Sequence, residues 1–226
     1  MKRSAGRAAA KMVEDGMNVG LGSGSTLAEA VKALGEFRPE AKYVVSSVST
    51  QRLAESMDLE LTSLESGMEL DLVIDGADEI NPDFDMIKGG GGALTREKMV
   101  ASAGRKVAIV VDESKLVKKL GEGFHLPVEV VPFAYGYTSG NLERHGKKAV
   151  LRKLKSGVPF VTDNGNYILD LKIDEIEDPE SMEVRMNSIP GVIENGIFHD
   201  LADLVFLGHK EGCDLLRSKD DILDFY

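Results

Sequence analysis

The chain has little of several things, and each scarcity excludes a class of function. A single cysteine, Cys213, leaves no partner for an internal disulfide. A reducing, cytoplasmic setting is therefore expected, with the thiol acting as packing. No stretch of about 18 apolar residues occurs, so nothing reads as a membrane span. The opening MKRSAGRAAAKMVEDGMNVG is alanine-rich but interrupted by Lys11, Glu14 and Asp15, which reads as an amphipathic helix and not as the apolar segment of a secretory signal. No basic run offsets the net charge of −11, which disfavours nucleic acid as a partner. A small anion needs only a local positive site, and helix N-termini supply one. The four histidines, His125, His145, His199 and His209, are scattered without metal-ligand spacing. Repeats and low-complexity segments are absent.

What is present is ordinary globular composition, with 42% hydrophobic and 29% charged residues. The 226 residues suffice for one large domain or a medium domain with a small one. Short apolar runs alternate with helical stretches in the first half. Strands are expected at Met17–Leu21, Tyr43–Val45, Leu70–Ile74 and Val107–Val111. Helices are expected at Thr26–Leu34, Thr50–Met57 and Thr95–Ala103. This alternation predicts an α/β fold with a mostly parallel sheet covered on both faces. The pattern changes at GEGFHLPVEVVP (121–132). Beyond it come a strand (Val128–Val131), a helix (Tyr137–His145), strands at Ala149–Arg152, Phe160–Thr162 and Tyr167–Leu171, a helix (Pro179–Asn187) and a strand (Val192–Ile197). DNGN at Asp163–Asn166 signals a hairpin turn. The order approximates a split β-α-β, ferredoxin-like unit. Leu204–Leu207 then reads as a strand returning to the first sheet. Residues 1–127 and 200–226 are thus expected to form the main α/β domain, and 128–199 a smaller inserted α+β domain.

Four polar segments each follow a strand of the predicted parallel sheet. GLGSGST (Gly20–Thr26) opens a helix. Its glycines allow close approach, and its amides with the hydroxyls of Ser23, Ser25 and Thr26 suit a phosphate. It lacks the lysine of a P-loop, the third glycine of a dinucleotide fingerprint and the closing glycine of a G-x-S-x-G elbow. The second strand ends in Ser46-Ser47, with no acidic residue to hold a ribose hydroxyl. A tight βα turn without ligand fits the same residues. DGADEINPDFD (Asp75–Asp85) places Asp75 and Asp78 where substrates bind in open α/β sheets. Such carboxylates accept hydroxyls and move protons; a divalent ion or a solvated acidic loop are the alternatives. KGGGGALTREK (Lys88–Lys98) combines Lys88, a glycine run suited to ligand contact, Thr95 as a helix cap, and Glu97 in the first helical turn. Glu97 there is a candidate general base or simply a routine first-turn acid. VDESK (Val111–Lys115) puts Lys115 at a strand end, where it is otherwise an ordinary surface lysine. Convergence of the four on one crevice would supply a phosphate cradle, carboxylates and two lysines.

These motifs, with LPVEVVP, VTDNGNYILD and SIPGVIENGIF, make the sequence resemble the type A ribose-5-phosphate isomerase family from near residue 5 to near residue 210. The resemblance implies a Rossmann-like domain with a small α+β domain, no metal and no organic cofactor. It implies a homodimer or homotetramer acting on a small sugar phosphate in the non-oxidative pentose phosphate pathway. By position, Glu97 matches the catalytic base. Ser23, Gly24, Ser25 and Thr26 match the substrate-contacting loop. Asp75, Gly76, Ala77 and Asp78 match the carboxylate segment. Lys88, Gly89, Gly90, Gly91 and Lys115 match further substrate contacts, with Lys88, Asp75 and Asp78 assisting catalysis. Ser23 stands where many members carry threonine. Gly92 stands where alanine is common, which is expected to loosen the turn slightly. Two competing functions, an aminosugar-phosphate deaminase and a non-catalytic sugar-phosphate sensor, fit less well: ALTREK is intact and no DNA-binding module is visible. The tail after Gly208 lies outside the resemblance.

Overall fold

A computed structural model describes residues 1–223 and 225. In chain order its elements are α1 (Lys2–Ala10), β1 (Asn18–Leu21), α2 (Ser25–Phe37), β2 (Lys42–Val45), α3 (Val48–Ser56), β3 (Glu60–Leu61), β4 (Leu72–Asp75), β5 (Glu79–Ile80) and β6 (Met86–Ile87). They continue with α4 (Leu94–Ser102), β7 (Val107–Asp112), β8 (Leu126–Val130), α5 (Tyr135–Leu142), β9 (Lys148–Leu151) and β10 (Tyr167–Lys172). The last are α6 (Pro179–Asn187), β11 (Val192–Asn195), β12 (Ile197–Phe198), β13 (Leu204–Gly208), β14 (Cys213–Leu216) and α7 (Lys219–Leu223).

The central sheet runs β14-β13-β7-β4-β1-β2-β3 and is parallel except for β14 at its edge. Side chains alternate across each strand, so both faces must be covered. Leu21, Ile74, Val110 and Phe206 pack on one face with α1, α2 and α3. Val73, Ile109, Val111 and Leu207 pack on the other with Leu94, Val100 and Ala101 of α4. The strand order reverses between β1 and β4, the place where a crevice opens at the carboxyl ends of such sheets.

A four-stranded antiparallel sheet, ordered β11-β8-β10-β9, forms a second layer with α5 and α6. A short third sheet, β12-β6-β5, joins the two regions. Among the described residues no helix is long and apolar enough to cross a membrane.

Most sequence-based spans reappear with shifted ends. Helix α3 begins at Val48 because Ser47 Oγ accepts from the Thr50 amide at 3.1 Å, so Ser47 is a helix cap. Three expectations are overturned. Phe160–Thr162 is not a strand; it makes only one isolated bridge, Val161 with Tyr167. The run Val192–Ile197 is two strands, because Gly196 carries the chain from the four-stranded sheet to the small one. The tail, for which the sequence offered no reading, adds β14 to the main sheet and buries Ile222 of α7. Thr95 does not cap α4; the N-cap is Ala93. Partial burial on β14 pushes the Cys213 thiol up to about 11, which fits an unreactive side chain.

Candidate active site

The site begins with a close approach of backbone to side chain. The amide of Gly22 donates to the Ile74 carbonyl at 3.0 Å, pulling the loop after β1 against the end of β4. A Cβ on Gly22 would lie 1.8 Å from the Asp75 carboxyl, so only glycine fits. Asp75 Oδ1 accepts from the amides of Ser23 at 3.1 Å and Gly76 at 2.7 Å. Its Oδ2 lies 2.9 Å from Lys88 Nζ, and Lys88 also donates to the Gly76 carbonyl.

Glu97, in the first turn of α4, reaches the same ammonium. Its Oε2 lies 3.4 Å from Lys88 Nζ and makes no hydrogen bond, while Oε1 accepts from Ser23 Oγ at 2.5 Å. Asp75, Lys88 and Glu97 are all buried. Burial pushes the Glu97 carboxyl above the ordinary carboxylate range and Asp75 adds to that, while Lys88 and the Ser23 hydroxyl pull against it. Burial also disfavours the Lys88 charge, but Asp75 and Glu97 outweigh it and hold the ammonium above the ordinary lysine range. The Lys88 ammonium further sits 5.3 Å from the centre of the buried Phe198 ring.

Lys88 and Glu97 of this cluster reach the surface of a cleft at the carboxyl edge of the main sheet. The cleft is lined by Ser23 to Thr26, Gly76 to Asp78, Lys88 to Gly91, Glu97 and Lys115. All four segments singled out in the sequence therefore meet. Asp75 is the exception: it stands behind the wall, with Oδ1 on two amides and Oδ2 beside the Lys88 ammonium, while Asp78 faces the cleft and accepts from the Gly90 amide at 2.7 Å. Asp75 has two amides and an ammonium as neighbours, which is not the donor set of a divalent ion.

The glycine run is set as much by backbone geometry as by any ligand. Gly89 (φ +103) and Gly92 (φ +81) are left-handed. A Cβ on Gly92 would come within 2.4 Å of the Phe160 ring, so Gly92 is required here and does not merely loosen the turn.

Lys2 also lines the cleft, and no motif announces it. Its Nζ lies 2.8 Å from Ser25 Oγ, across 23 residues. The available signal is the run of small residues in α1, where Ala5, Gly6, Ala9 and Ala10 are buried and let α1 pack closely on α2. Helix α2 starts at Ser25 without a side-chain cap, so its first amides are free to meet an anion.

An open α/β sheet with a buried carboxylate–ammonium cluster beneath a cationic, helix-headed cleft defines an enzyme for a small anionic substrate. The sequence profile of the ribose 5-phosphate isomerase A (phosphoriboisomerase A) family matches residues 42–212, and the chain belongs to this family of isomerases. It is 46% identical over 220 residues to ribose-5-phosphate isomerase A of Thermomicrobium roseum, covering 96% of this chain and 93% of that protein. The corresponding protein of Prochlorococcus marinus is 46% identical over 218 residues, covering 93% of this chain and 94% of its own length. A D-ribose-5-phosphate isomerase solved in complex with phospho-erythronic acid superposes with a TM-score of 0.92 at 41% identity, covering 96% of this chain and 97% of that one. Ribose 5-phosphate isomerase A from Methanocaldococcus jannaschii gives 0.90 at 40% identity, covering 96% and 98%.

Proposed function

We propose that this chain interconverts ribose 5-phosphate and ribulose 5-phosphate through a cis-enediolate, with Glu97 as the general base. The observation that carries the base assignment is the Glu97 carboxylate itself: buried, pushed above its ordinary range, and with one oxygen free of hydrogen bonds at the floor of the cleft. A raised value improves a carboxylate as a proton acceptor from carbon.

The phosphate is placed at the N-terminus of α2, with Lys2, Lys115 and the hydroxyls of Ser25 and Thr26 as neighbours. Gripping the far end of the open-chain sugar orients its first two carbons over Glu97. Glu97 takes the proton from carbon 2 of the aldose. The carbonyl oxygen on carbon 1 gains a proton as the hydroxyl on carbon 2 loses one. Glu97 then delivers its proton to carbon 1, giving the ketose. Lys88 opposes the charge that develops on oxygen. Between the two aspartates, the exposure of Asp78 to the cleft favours it for the hydroxyl proton or ring opening, and leaves Asp75 to hold Lys88 in place.

The same reading takes segment 128–199 as an inserted ferredoxin-like unit. The order β11-β8-β10-β9 with α5 and α6 between strands supports it, although β8 begins two residues earlier, at Leu126. It also includes a homodimer or homotetramer, for which the exposed apolar side chains Phe133, Tyr137 and Val158 of the small domain are candidates to be covered; a monomeric mass in solution would remove that part. The reaction is tested in deuterated water by a coupled assay from either pentose phosphate. Turnover with deuterium entering carbon 1 of ribulose 5-phosphate, or carbon 2 of ribose 5-phosphate in the reverse direction, is expected. Absence of turnover in both directions rejects the proposal.

A further inference from the structure

Glu129, on β8, has no solvent exposure, and among the described residues no basic side chain pairs with it. Side chains alternate along β8, so Val128 and Val130 join the core of the four-stranded sheet while Glu129 faces the other way. Four neutral donors fill its carboxylate. Thr162 Oγ1, Asn166 Nδ2 and Asn164 Nδ2 donate to Oε1 at 2.8, 2.9 and 3.1 Å, and Thr95 Oγ1 donates to Oε2 at 2.5 Å. Three of these donors belong to the DNGN turn or its first flanking residue. The fourth is in the first turn of α4, two residues before Glu97.

The turn holds α4 a second time. Arg96 donates through Nε to Asn164 Oδ1 and through Nη2 to the Asp163 carbonyl, both at 2.7 Å. Asp163 Oδ2 in turn accepts from the Val48 amide at the start of α3 at 2.9 Å. This external grip meets a local need. Helix α4 has no side-chain cap, and the Glu97 carboxylate makes one hydrogen bond, to Ser23. Leu94 anchors the first turn of α4 in the core, but no polar contact made within the helix sets its rotation.

We propose that Glu129 is a positioning residue for the isomerisation: with the DNGN turn it sets the first turn of α4 so that the Glu97 carboxylate stays against Ser23 and Lys88. The proposal rests on Glu97 being the base. Misplacing a reacting group by about 1 Å lowers turnover by as much as about a hundred-fold. A glutamine at 129 would keep a carbonyl for the three donors on Oε1 but would put an amide N–H opposite Thr95 Oγ1, which would have to change from donor to acceptor, and the charge that strengthens all four bonds would be lost.

The test measures kcat, KM and melting temperature of Glu129→Gln, Thr95→Ala and Thr95→Ser, well below melting. Glu129→Gln and Thr95→Ala are expected to lower kcat about ten- to a hundred-fold with KM little changed, while Thr95→Ser, which keeps the hydroxyl, recovers most of the loss. Lower melting temperature with unchanged kcat per folded molecule would mean that Glu129 only stabilises the fold, and would overturn the proposal. If Glu129→Gln does not fold, the two Thr95 variants decide the matter. Each change is then added to Glu97→Gln. A positioning residue acting through Glu97 adds little to that loss, and a further drop as large as the single variant's overturns the proposal. Near-normal turnover by Glu97→Gln alone would instead remove the base assignment, so the two failures are distinguishable.

Discussion

Two carboxylates, Glu97 and Glu129, lie buried on facing elements, and the chain treats them in opposite ways. Glu129 has a hydroxyl or amide donor on each oxygen, three on Oε1 and one on Oε2. Glu97 has one donor, a nearby ammonium and a buried oxygen without a hydrogen bond. A carboxylate whose ionised form is held by four donors is a weak proton acceptor and suits the part of a strut. An undersatisfied one is costly to bury, and that cost is what makes it basic. The difference lies in what surrounds the same functional group.

The comparison breaks most severely at Glu97. Glu97→Gln is expected to lower turnover at least about a hundred-fold with binding largely retained, as for removal of a general base; kinetics near those of the unaltered chain would place the base elsewhere. As the proposed base, the same carboxyl is expected to set the acid side of the pH profile. Burial raises it above 4.5 in the folded protein, and only the ionised form accepts a proton. Activity therefore falls as pH drops through that raised value, before an ordinary carboxylate would titrate. The stability contribution has the opposite sense: it is present below the ordinary value and lost as pH rises through the raised one. Both dependences should vanish in Glu97→Gln.

A smaller effect is expected at Ser23. From sequence, its hydroxyl contacts substrate and its loss raises KM. The structure directs that hydroxyl at Glu97 Oε1. A hydrogen bond to a charged group is worth about 1.5–3 kcal/mol, so Ser23→Ala is expected to lower turnover about tenfold or more, exceeding any rise in KM. A larger change in KM than in kcat would return Ser23 to the role of a substrate contact.

Much of the site was legible because its residues sit in glycine-rich segments that each follow a strand, and parallel strands bring their carboxyl ends to one edge. The invisible parts have identifiable causes. Lys2 reaches Ser25 only because two helices pack closely. Strands β5 and β6 are two residues each, too short for any period to show. Phe160–Thr162 has the apolar look of a strand, but Phe160 sits against Gly92 and Thr162 is drawn to Glu129. Thr95 looks like a cap by its type and place, yet its hydroxyl is spent across 34 residues on Glu129.

The sequence alone determined the alternation of strands and helices, the glycine turns, and the polar groups that meet at the sheet's edge, because periodicity and turn chemistry are local properties of the chain. Tertiary structure alone decided which aspartate faces the cleft, which glutamate is left unsatisfied, and which turn braces α4. Those outcomes depend on desolvation and on donors arriving from distant segments, and neither exists until the layers pack.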